Sequence, residues 1–297
     1  MSRLFTLLSE ETGLSSLDLL TIIRTAPGRY KVYTIPKRNG GDREIAQPAR
    51  EVKILQRVLL LRLLADLPVH EAAIAYRLGR SIRDNADPHK GKGPILKMDF
   101  ADFFPSIRSE DWERYCERSG ILDKSDIDLS SLIFFRRAKG ERLLKLSIGA
   151  PSSPALSNVL MFDFDTLVAD EARRRRIVYT RYADDLTFSG QMIGMLRDMI
   201  KVVESTSRKA QLSHLSIHPE KTTFVTAKHR RVVTGIVLTN DGALSMARGR
   251  KRTISAQVHH ASLGELAGDQ LIELAGYLGF ANAVEPSFLD RLRKIWC

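Results

Sequence analysis

Cysteine is scarce in this sequence, and this limits both its redox chemistry and its metal chemistry. Only Cys116 and Cys297 occur among the 297 residues. Two cysteines so far apart exclude a disulfide framework and offer no zinc-ligand spacing. This usage predicts a chain that works in a reducing, cytoplasmic compartment.

Long hydrophobic runs are also missing. The richest segment, residues 58–64, is interrupted by Arg62, whereas a membrane span needs about 18 consecutive apolar residues. Near the N-terminus, Glu10 and Glu11 follow a very short apolar run, which is not the pattern of a signal peptide. We therefore expect no membrane partner. Neither an internal repeat nor a low-complexity tract is visible in the sequence.

Acidic residues are outnumbered by basic ones. The chain has 46 Lys and Arg against 35 Asp and Glu, a formal net charge of +11. Such a balance predicts an anionic partner, and with membranes set aside nucleic acid is the better candidate. The length suggests about two domains, or one polymer-handling fold with subdomains.

The order of predicted elements indicates an α+β fold. Alternating or apolar-rich segments predict strands at residues 30–35, 43–46, 95–100, 177–183, 186–189, 222–225 and 232–238. Helical spacing predicts helices within 2–25, at 50–66, around Trp112 and Tyr115, at 191–211 and from about residue 245 onward. Together they predict an antiparallel central sheet with helices packed on one side.

Two adjacent acids, Asp184 and Asp185, lie at the predicted turn between the strands 177–183 and 186–189. Adjacent carboxylates repel each other, and a hard cation such as Mg²⁺ stabilises them because it accepts carboxylates together with substrate phosphates. A solvated Asp-Asp turn is the simpler interpretation. The apolar residues of both strands favour the cation site, because they hold the turn rigid.

Asp99, at the end of the predicted strand 95–100, is a second candidate. An acid at this position can simply cap the following helix. A two-metal phosphoryl-transfer site needs carboxylates from separate strands to bridge ions about 3.5–4 Å apart. Asp99 and the Asp184–Asp185 turn together meet that requirement.

Four elements occur in an order that resembles the palm of reverse transcriptases: Asp99, Gly149–Pro154, Tyr182-Ala-Asp-Asp185 and Lys221. The similarity covers roughly residues 28–240. It implies an α+β right-hand polymerase architecture, in which the palm is an antiparallel sheet with helices.

Two further segments are similar to elements of the retron branch of that family. Asn85-Ala-Asp-Pro-His89 precedes the first acidic strand, and Val233-Thr-Gly235 follows the palm-like region. Taken singly, the first is an ordinary polar loop with a helix-capping Asn, and the second an edge strand. Their occurrence together, in the expected places, favours the retron branch.

The resemblance implies four parts of the chain. These are an N-terminal helical segment (1–27), fingers (28–94), palm (95–242) and a small, basic, helical thumb (243–297). Some elements of the fingers would be interleaved within the palm at about 120–150.

The resemblance also implies a metal site. Asp99, Asp184 and Asp185 would hold two Mg²⁺ ions together with the backbone carbonyl of Phe100. One ion would activate the hydroxyl of the primer, and the other would stabilise the leaving pyrophosphate.

A second set of residues is implied in nucleotide binding: Arg43, Lys37, Asp102, Phe104, Gly149 and Lys221. Arg43 would bind the triphosphate of the incoming dNTP bidentately, with Lys37 or Arg38 assisting. Phe104 would lie beneath the sugar as a steric gate, and Lys221 would protonate pyrophosphate.

Each of these residues also has a plainer interpretation. A charged hairpin tip is usually solvated, a phenylalanine is more often a core residue, and Lys221 could be an ordinary surface lysine. Gly149 starts a small-residue segment that would let backbone approach a nucleotide or template closely. Ile148 departs from the glutamine of many relatives, so a hydrogen bond near the nucleotide is absent or supplied elsewhere.

The implied RNA-binding residues are Asn85, His89, Val233, Thr234, Gly235, Arg248, Arg250, Lys251 and Arg252. Residues 221–260 contain eight Lys or Arg and one acid, Asp241. Such a surface suits a nucleic-acid backbone. A solubilising turn at 248–252 is the alternative.

The implied function is that of a bacterial retron reverse transcriptase. It would copy a structured noncoding RNA that supplies both the template and a 2′-hydroxyl primer, giving an RNA-linked single-stranded DNA, and would act in antiphage defence with a separately encoded effector protein. Two alternatives stay open: another bacterial reverse transcriptase, of the intron or diversity-generating type, and a non-catalytic RNA-binding scaffold.

Overall fold

The computed structural model describes residues 2–37, 40–212 and 214–296, and its mixture of helices and sheets agrees with the α+β prediction. The helices are α1 (Arg3–Thr12), α2 (Ser16–Thr25), α3 (Arg50–Arg62), α4 (Ile82–Ala86), α5 (Phe103–Ser106), α6 (Ser109–Ser119), α7 (Lys124–Phe134), α8 (Ser153–Leu160), α9 (Phe162–Arg174), α10 (Ile193–Lys209), α11 (Arg248–Ser262), α12 (Asp269–Val284) and α13 (Pro286–Trp296). The strands are β1 (Tyr30–Pro36), β2 (Asp42–Pro48), β3 (Ile95–Ala101), β4 (Arg136–Arg137), β5 (Leu144–Lys145), β6 (Val178–Tyr182), β7 (Asp185–Ser189), β8 (Ser216–Ile217), β9 (Thr223–Val225), β10 (Arg231–Val233), β11 (Ile236–Leu238) and β12 (Leu244–Ser245).

Strand β3 lies at the centre of the main sheet. On one side it pairs with β7, and β6 extends the sheet beyond β7. On the other side β3 pairs with β9 near its start and with β8 near its end. All of these pairings are antiparallel, which confirms the predicted central sheet.

The residues of β3 alternate between a core face and an open face. Leu96, Met98 and Phe100 are buried and belong to the main hydrophobic core, which includes residues of α9 and α10. Lys97 and Asp99 are only partly buried. Because successive side chains of a strand point to opposite faces, Asp99 lies on the open face of the sheet.

The N-terminal helices and hairpin flank this core. Helices α1, α2 and α3 all pack against α7, and Ser15 caps α2 by accepting a hydrogen bond from the Asp18 amide at 3.2 Å. Strands β1 and β2 form the predicted hairpin. Arg38, which was predicted to assist in phosphate binding, and Cys297 lie outside the described residues.

The predicted single strand at 232–238 is wrong, because the chain reverses in its middle. Strands β10 and β11 form an antiparallel hairpin in which Val233 pairs with Ile236. The two turn residues, Thr234 and Gly235, have positive φ angles of 45° and 83°. A two-residue hairpin turn of this kind needs positive φ at both central positions, and the glycine supplies one of them without strain.

A second, smaller core closes the C-terminal region. Val233 and Ile236 of the β10–β11 hairpin pack with Ile254, Ala281 and other residues of the last three helices. The predicted helical region after residue 245 is confirmed and begins at α11. Within the described ranges, no helix combines the length and apolar character needed to cross a membrane. The division into fingers, palm and thumb stays a prediction.

Candidate active site

Asp99 and Asp185 face each other across the β3–β7 ladder, where they are direct register partners. The Asp99 carbonyl accepts a hydrogen bond from the His218 amide at 2.8 Å, on the β8 side of the strand. The Asp99–Asp185 pair is therefore a non-hydrogen-bonded pair, the kind in which Cα atoms approach to about 4.5 Å and side chains lie closest. Two carboxylates from separate strands thus share one face of the sheet.

Asp184 joins them through a tight reversal between β6 and β7. This acidic turn consists of Ala183, whose φ angle is 59°, and Asp184; Asp185 is already the first residue of β7. The Phe100 amide donates a hydrogen bond to the Asp184 carbonyl at 3.1 Å. Since the N–H and C=O of one strand residue point the same way, the Phe100 carbonyl also faces the acidic turn.

The electrostatics of these acids show mutual repulsion. Burial, followed by the charge of Asp184, raises the pKa of Asp185 to about 6. Burial also raises the pKa of Asp184, followed by the charge of Asp99. Both shifts disfavour the carboxylate form, so a nearby positive charge would stabilise this cluster.

Lys221 supplies one such charge. Its Nζ atom donates a hydrogen bond to Asp99 Oδ1 at 2.7 Å, although the lysine side chain is 54% exposed. Lys221 lies in a short turn that follows β8, and the His218–Asp99 backbone hydrogen bond anchors this turn to β3. Lys221 therefore lies in the acidic cluster and is not an isolated surface lysine.

The acidic cluster fits a divalent cation by its chemistry. As they stand, no three carboxylate, imidazole or thiolate side chains among the described residues converge closely enough to hold an ion. Asp99, Asp184 and Asp185 are nevertheless three hard oxygen donors on adjoining backbone positions, and burial and repulsion raise the pKa of two of them. Hard cations such as Mg²⁺ select this kind of donor.

The two phenylalanines that follow β3 have different environments. Phe103 is buried and its ring stacks on Phe100 with a centroid distance of 5.7 Å, whereas Phe104 is only partly buried. Asp102, which precedes them, is exposed and has a φ angle of 43°. This left-handed residue turns the chain out of β3 and leaves Phe104 partly accessible, with its ring next to that of Tyr76.

The two cations predicted to bind phosphates lie on the β1–β2 hairpin. Arg43 is exposed on β2, and its charge offsets part of the rise that burial and Asp99 cause in the pKa of Asp184, so it lies within electrostatic range of the acidic turn. Lys37 is exposed at the end of β1, where its amide donates to the Gly41 carbonyl at 2.9 Å. Their nucleotide contacts stay predictions.

Gly149 is required by the packing of the chain itself. Its φ angle is 116°, and a Cβ atom there would lie 3.1 Å from the Ala46 carbonyl oxygen and from a methyl group of Ile45. The Ala46 amide donates to the Ile148 carbonyl at 2.8 Å. The close backbone approach expected at this glycine is therefore made to β2, and its nucleotide contact stays a prediction.

Asn85 and His89 are buried, which corrects the expectation that their side chains contact RNA directly. The His89 ring lies between two hydroxyls of the β6–β7 hairpin, with Nδ1 2.7 Å from Ser189 Oγ and Nε2 2.9 Å from Thr180 Oγ1. The side-chain amide of Asn85 has no hydrogen-bond partner among the residues that the structure describes. Any effect of these two residues on RNA would act through the surface that they support.

The Val233-Thr-Gly235 element lies next to the helix that carries Asn85. Val233 is buried in the C-terminal core, so its side chain is not available to RNA. The Thr234 hydroxyl donates to the Ile82 carbonyl at 3.1 Å. This bond supports a β-branched residue in a conformation that such residues rarely adopt. The structure thus brings the two retron-like elements together.

The basic segment 248–252 forms the first turns of α11, so the alternative of a solubilising turn is wrong. Arg250 stacks on the Phe280 ring and lines, together with Gly235 and Tyr277, a cavity of about 380 Å³. Lys251 is largely buried and its Nζ atom lies 2.7 Å from Glu285 Oε1. Lys251 therefore stabilises the helical region and is not a free RNA-binding cation.

Sequence reasoning missed a group of polar residues behind the acidic turn. Asp165 and Arg181 form a completely buried ion pair at 2.6 Å, and Arg181 also contacts Asn158 and the Ala183 carbonyl. Tyr76, on a loop beside Phe104, has a φ angle of 63°. The available signal for the ion pair was an arginine within a strand that is otherwise buried. Tyr76 could not have been found from the sequence, because it belongs to no periodic pattern.

Comparisons with known proteins agree with this geometry. The family described as reverse transcriptase (RNA-dependent DNA polymerase) matches residues 35–247. The retron Ec83 reverse transcriptase of Escherichia coli is 38% identical over 282 residues, which cover 93% of this chain and 90% of that protein. The retron Ec86 reverse transcriptase of the same species is 30% identical, covering 96% and 86%. The retron Mx162 reverse transcriptase of Myxococcus xanthus is 33% identical, covering 90% of this chain but 61% of its own length.

Proposed function

Since the chain belongs to the retron reverse transcriptases and is an RNA-directed DNA polymerase, we propose that it copies a structured noncoding RNA that supplies both template and 2′-hydroxyl primer. The product would be a single-stranded DNA linked to that RNA. The observation that carries the catalytic part is the pairing of Asp99 with Asp185 beside the acidic turn. Extended similarity to retron enzymes favours this branch over intron and diversity-generating types, and the polymerase family removes the non-catalytic scaffold.

Catalysis by this family depends on a divalent metal. In this chain Asp99, Asp184, Asp185 and the Phe100 carbonyl would hold two Mg²⁺ ions. Bound there, the ions would activate the primer hydroxyl and stabilise the leaving pyrophosphate. Lys221 would contribute a positive charge and a transferable proton on Nζ at the position where it now contacts Asp99.

The incoming dNTP would lie between the β1–β2 hairpin and the open face of the main sheet. Arg43 would bind its phosphates in the two-bond geometry that a guanidinium allows, with Lys37 nearby. Asp102 and Gly149 would border the same nucleotide, and the accessible ring of Phe104 would exclude a 2′-hydroxyl by its shape.

The noncoding RNA would contact the surface formed by the Val233–Gly235 hairpin and α11. Arg248, Arg250 and Arg252 would neutralise phosphates there, while Lys251 would hold α11 to the junction between α12 and α13 through Glu285. Asn85 and His89 would set the position of this surface from within the protein.

The remaining features of the proposal come from the retron family. The parts of the chain would be an N-terminal helical segment, fingers, palm and thumb, with the sheet of β10, β11 and β12 packing on the thumb helices. The enzyme would act in the bacterial cytoplasm, in antiphage defence, together with an effector protein encoded separately.

Primer extension tests the proposed activity. The purified protein should extend a primer on an RNA template with dNTPs and Mg²⁺, and EDTA should abolish the reaction. Sequencing of the copurified nucleic acid should identify one structured RNA joined to DNA through a branched guanosine. Extension without any such RNA–DNA product would contradict the retron part of the proposal and leave the polymerase part intact.

A further inference from the structure

The ion pair between Arg181 and Asp165 lies entirely within the protein. Both side chains are fully buried, and Tyr179 donates its hydroxyl to Asp165 Oδ1 at 2.7 Å. A buried ion pair is often no more stabilising than apolar residues of similar size. Its value to this protein should therefore lie in the groups that it positions.

One of those groups is the acidic turn. Arg181 Nη1 donates to the Ala183 carbonyl at 3.1 Å. Ala183 is in the left-handed region, which L-residues other than glycine rarely adopt. The guanidinium therefore holds the backbone that sets the direction of Asp184, and Asp165 fixes the guanidinium.

The other group is the loop that precedes α4. The same Nη1 atom donates to Asn158 Oδ1 at 3.1 Å, and Asn158 Nδ2 donates to the Ala75 carbonyl at 2.8 Å. Residues 72–74 run beside β6. The Arg181 amide donates a hydrogen bond to the Ala72 carbonyl, and the Ile74 amide donates one to the Arg181 carbonyl. Asn158 thus uses both ends of its amide to join this loop to the acidic turn.

The residue that follows Ala75 is Tyr76, whose ring lies beside that of Phe104. The Tyr76 side chain is about half exposed, and its centroid is 6.4 Å from that of Phe104. Burial raises the pKa of Tyr76, and the charge of Asp184 raises it further. A left-handed backbone at a tyrosine is the kind of local strain that persists where the surroundings enforce it.

We propose that Tyr76 contacts the incoming nucleotide as a second aromatic surface beside Phe104, and that Asn158 is the positioning residue that sets Tyr76 relative to the acidic turn. This inference rests on the proposed placement of the nucleotide beside Phe104. Stacking between an aromatic side chain and a base tolerates every base identity, which suits a polymerase that must accept four dNTPs.

The substitution Asn158→Asp keeps one of the two contacts of the Asn158 side chain and removes the other. The carboxylate keeps an acceptor for Arg181, but it loses the donor to Ala75 and places an anion beside that carbonyl. We expect the KM for dNTP to rise about tenfold, the scale of one lost base–aromatic contact, with kcat falling less than about threefold. Tyr76→Ala should give the same change, and Tyr76→Phe should stay near the wild type.

Single-nucleotide insertion on a preformed primer–template measures these constants without the cognate RNA, and burst amplitudes give the active fraction. The matched control is Gln56→Glu, the same amide-to-carboxylate change at a buried residue whose amide also donates to a backbone carbonyl, that of Ile133, at 2.8 Å. Gln56→Glu should lower the active fraction and leave the KM unchanged. The KM of the double variant Asn158→Asp/Tyr76→Ala should be no higher than that of Tyr76→Ala, because both substitutions remove the same contact between Tyr76 and the nucleotide.

Independent, multiplying effects in the double variant would overturn the positioning role of Asn158, as would an active fraction that falls without a change in KM. If Asn158→Asp does not fold, the exposed position of Tyr76 still allows a decision, because an unchanged KM in Tyr76→Ala overturns the nucleotide contact. Failure of the wild type to insert dNTPs would instead contradict the proposed function. An unchanged sugar preference in Phe104→Ala would contradict the placement of the nucleotide.

Discussion

Asp99 lies directly opposite Asp185 on one face of the main sheet, in a pair that is not bridged by backbone hydrogen bonds. Like charges placed directly opposite each other across two strands destabilise a sheet. Lys221 compensates on the Asp99 side, but burial and the neighbouring Asp184 still raise the pKa of Asp185. The protein therefore keeps an unfavourable arrangement at the end of the β3–β7 ladder.

This arrangement predicts that Asp185→Asn stabilises the metal-free protein. Removal of one charge relieves a repulsion of up to about 1 kcal/mol, which corresponds to a rise in Tm of about 2 °C for a chain of this size. Thermal unfolding in EDTA measures the change. Added Mg²⁺ should raise the Tm of the wild type more than that of the variant, and a lower Tm of Asp185→Asn in EDTA would contradict the account.

Phe103 and Phe104 should respond differently to truncation. Phe103→Ala leaves a cavity beside Phe100 and should lower the free energy of unfolding by about 3–5 kcal/mol. Phe104→Ala removes a partly buried ring and should mainly permit insertion of ribonucleotides. Paired insertion assays with matched ribo- and deoxyribonucleotides, together with urea unfolding of both variants, separate the two outcomes. An active Phe104→Ala enzyme with wild-type sugar preference would show that the ring does not border the sugar.

The basic residues of α11 should divide into two groups. Replacement of Arg248, Arg250 and Arg252 by Ala should weaken RNA binding and flatten its dependence on salt, because fewer counterions are released. Lys251→Ala should instead destabilise the C-terminal helices, since its ammonium group contacts Glu285 and Ser245. Filter binding across a salt series and thermal unfolding measure these effects. Equal salt slopes in the wild type and the triple variant would exclude α11 from the RNA interface.

His89 should make the protein sensitive to mild acid. Burial lowers the pKa of His89 to about 3, whereas the unfolded chain binds this proton with a pKa of about 6.5. Stability is therefore fully present above pH 6.5 and is lost as the pH falls towards 3, by about 1 kcal/mol between pH 7.5 and 5.5. His89→Gln should lack this component in urea unfolding at the two pH values. An identical pH dependence in the variant would show that His89 accepts a proton in the folded state.

Much of the fold could be predicted from the sequence because its signals were local. An apolar-rich segment marked β3, alternation marked the first strand of the β1–β2 hairpin, and the paired acids marked the acidic turn. The prediction of one strand at 232–238 was wrong because the turn in its middle uses Thr234, and threonine is not a typical turn residue. The positive φ of Thr234 is supported by a hydrogen bond to the carbonyl of Ile82, which is distant in the sequence. Local pattern carries no information about such a partner.

The candidate site shows the same limit. The order of the acids predicted that Asp99 would meet the acidic turn, but nothing in the sequence indicated that Gly149 packs closely against β2; its contact with a nucleotide stays a prediction. Lys251 resembled its neighbouring arginines in sequence, yet it is held by Glu285, a residue on the far side of α12 in the chain. The role of a charged residue depends on its neighbours in the folded structure, and the order of residues in the sequence does not reveal them.

The most direct test of the account is the rate of nucleotide insertion by Asp184→Asn. The turn is polar in either form, so the variant should fold, and the loss of one charge from the acidic cluster should lower single-turnover DNA synthesis by at least about 10³-fold, as expected for lost electrostatic stabilisation. Circular dichroism and the Tm provide the control for folding. Near-normal synthesis by a folded Asp184→Asn protein would contradict the assignment of Asp99, Asp184 and Asp185 as the catalytic centre.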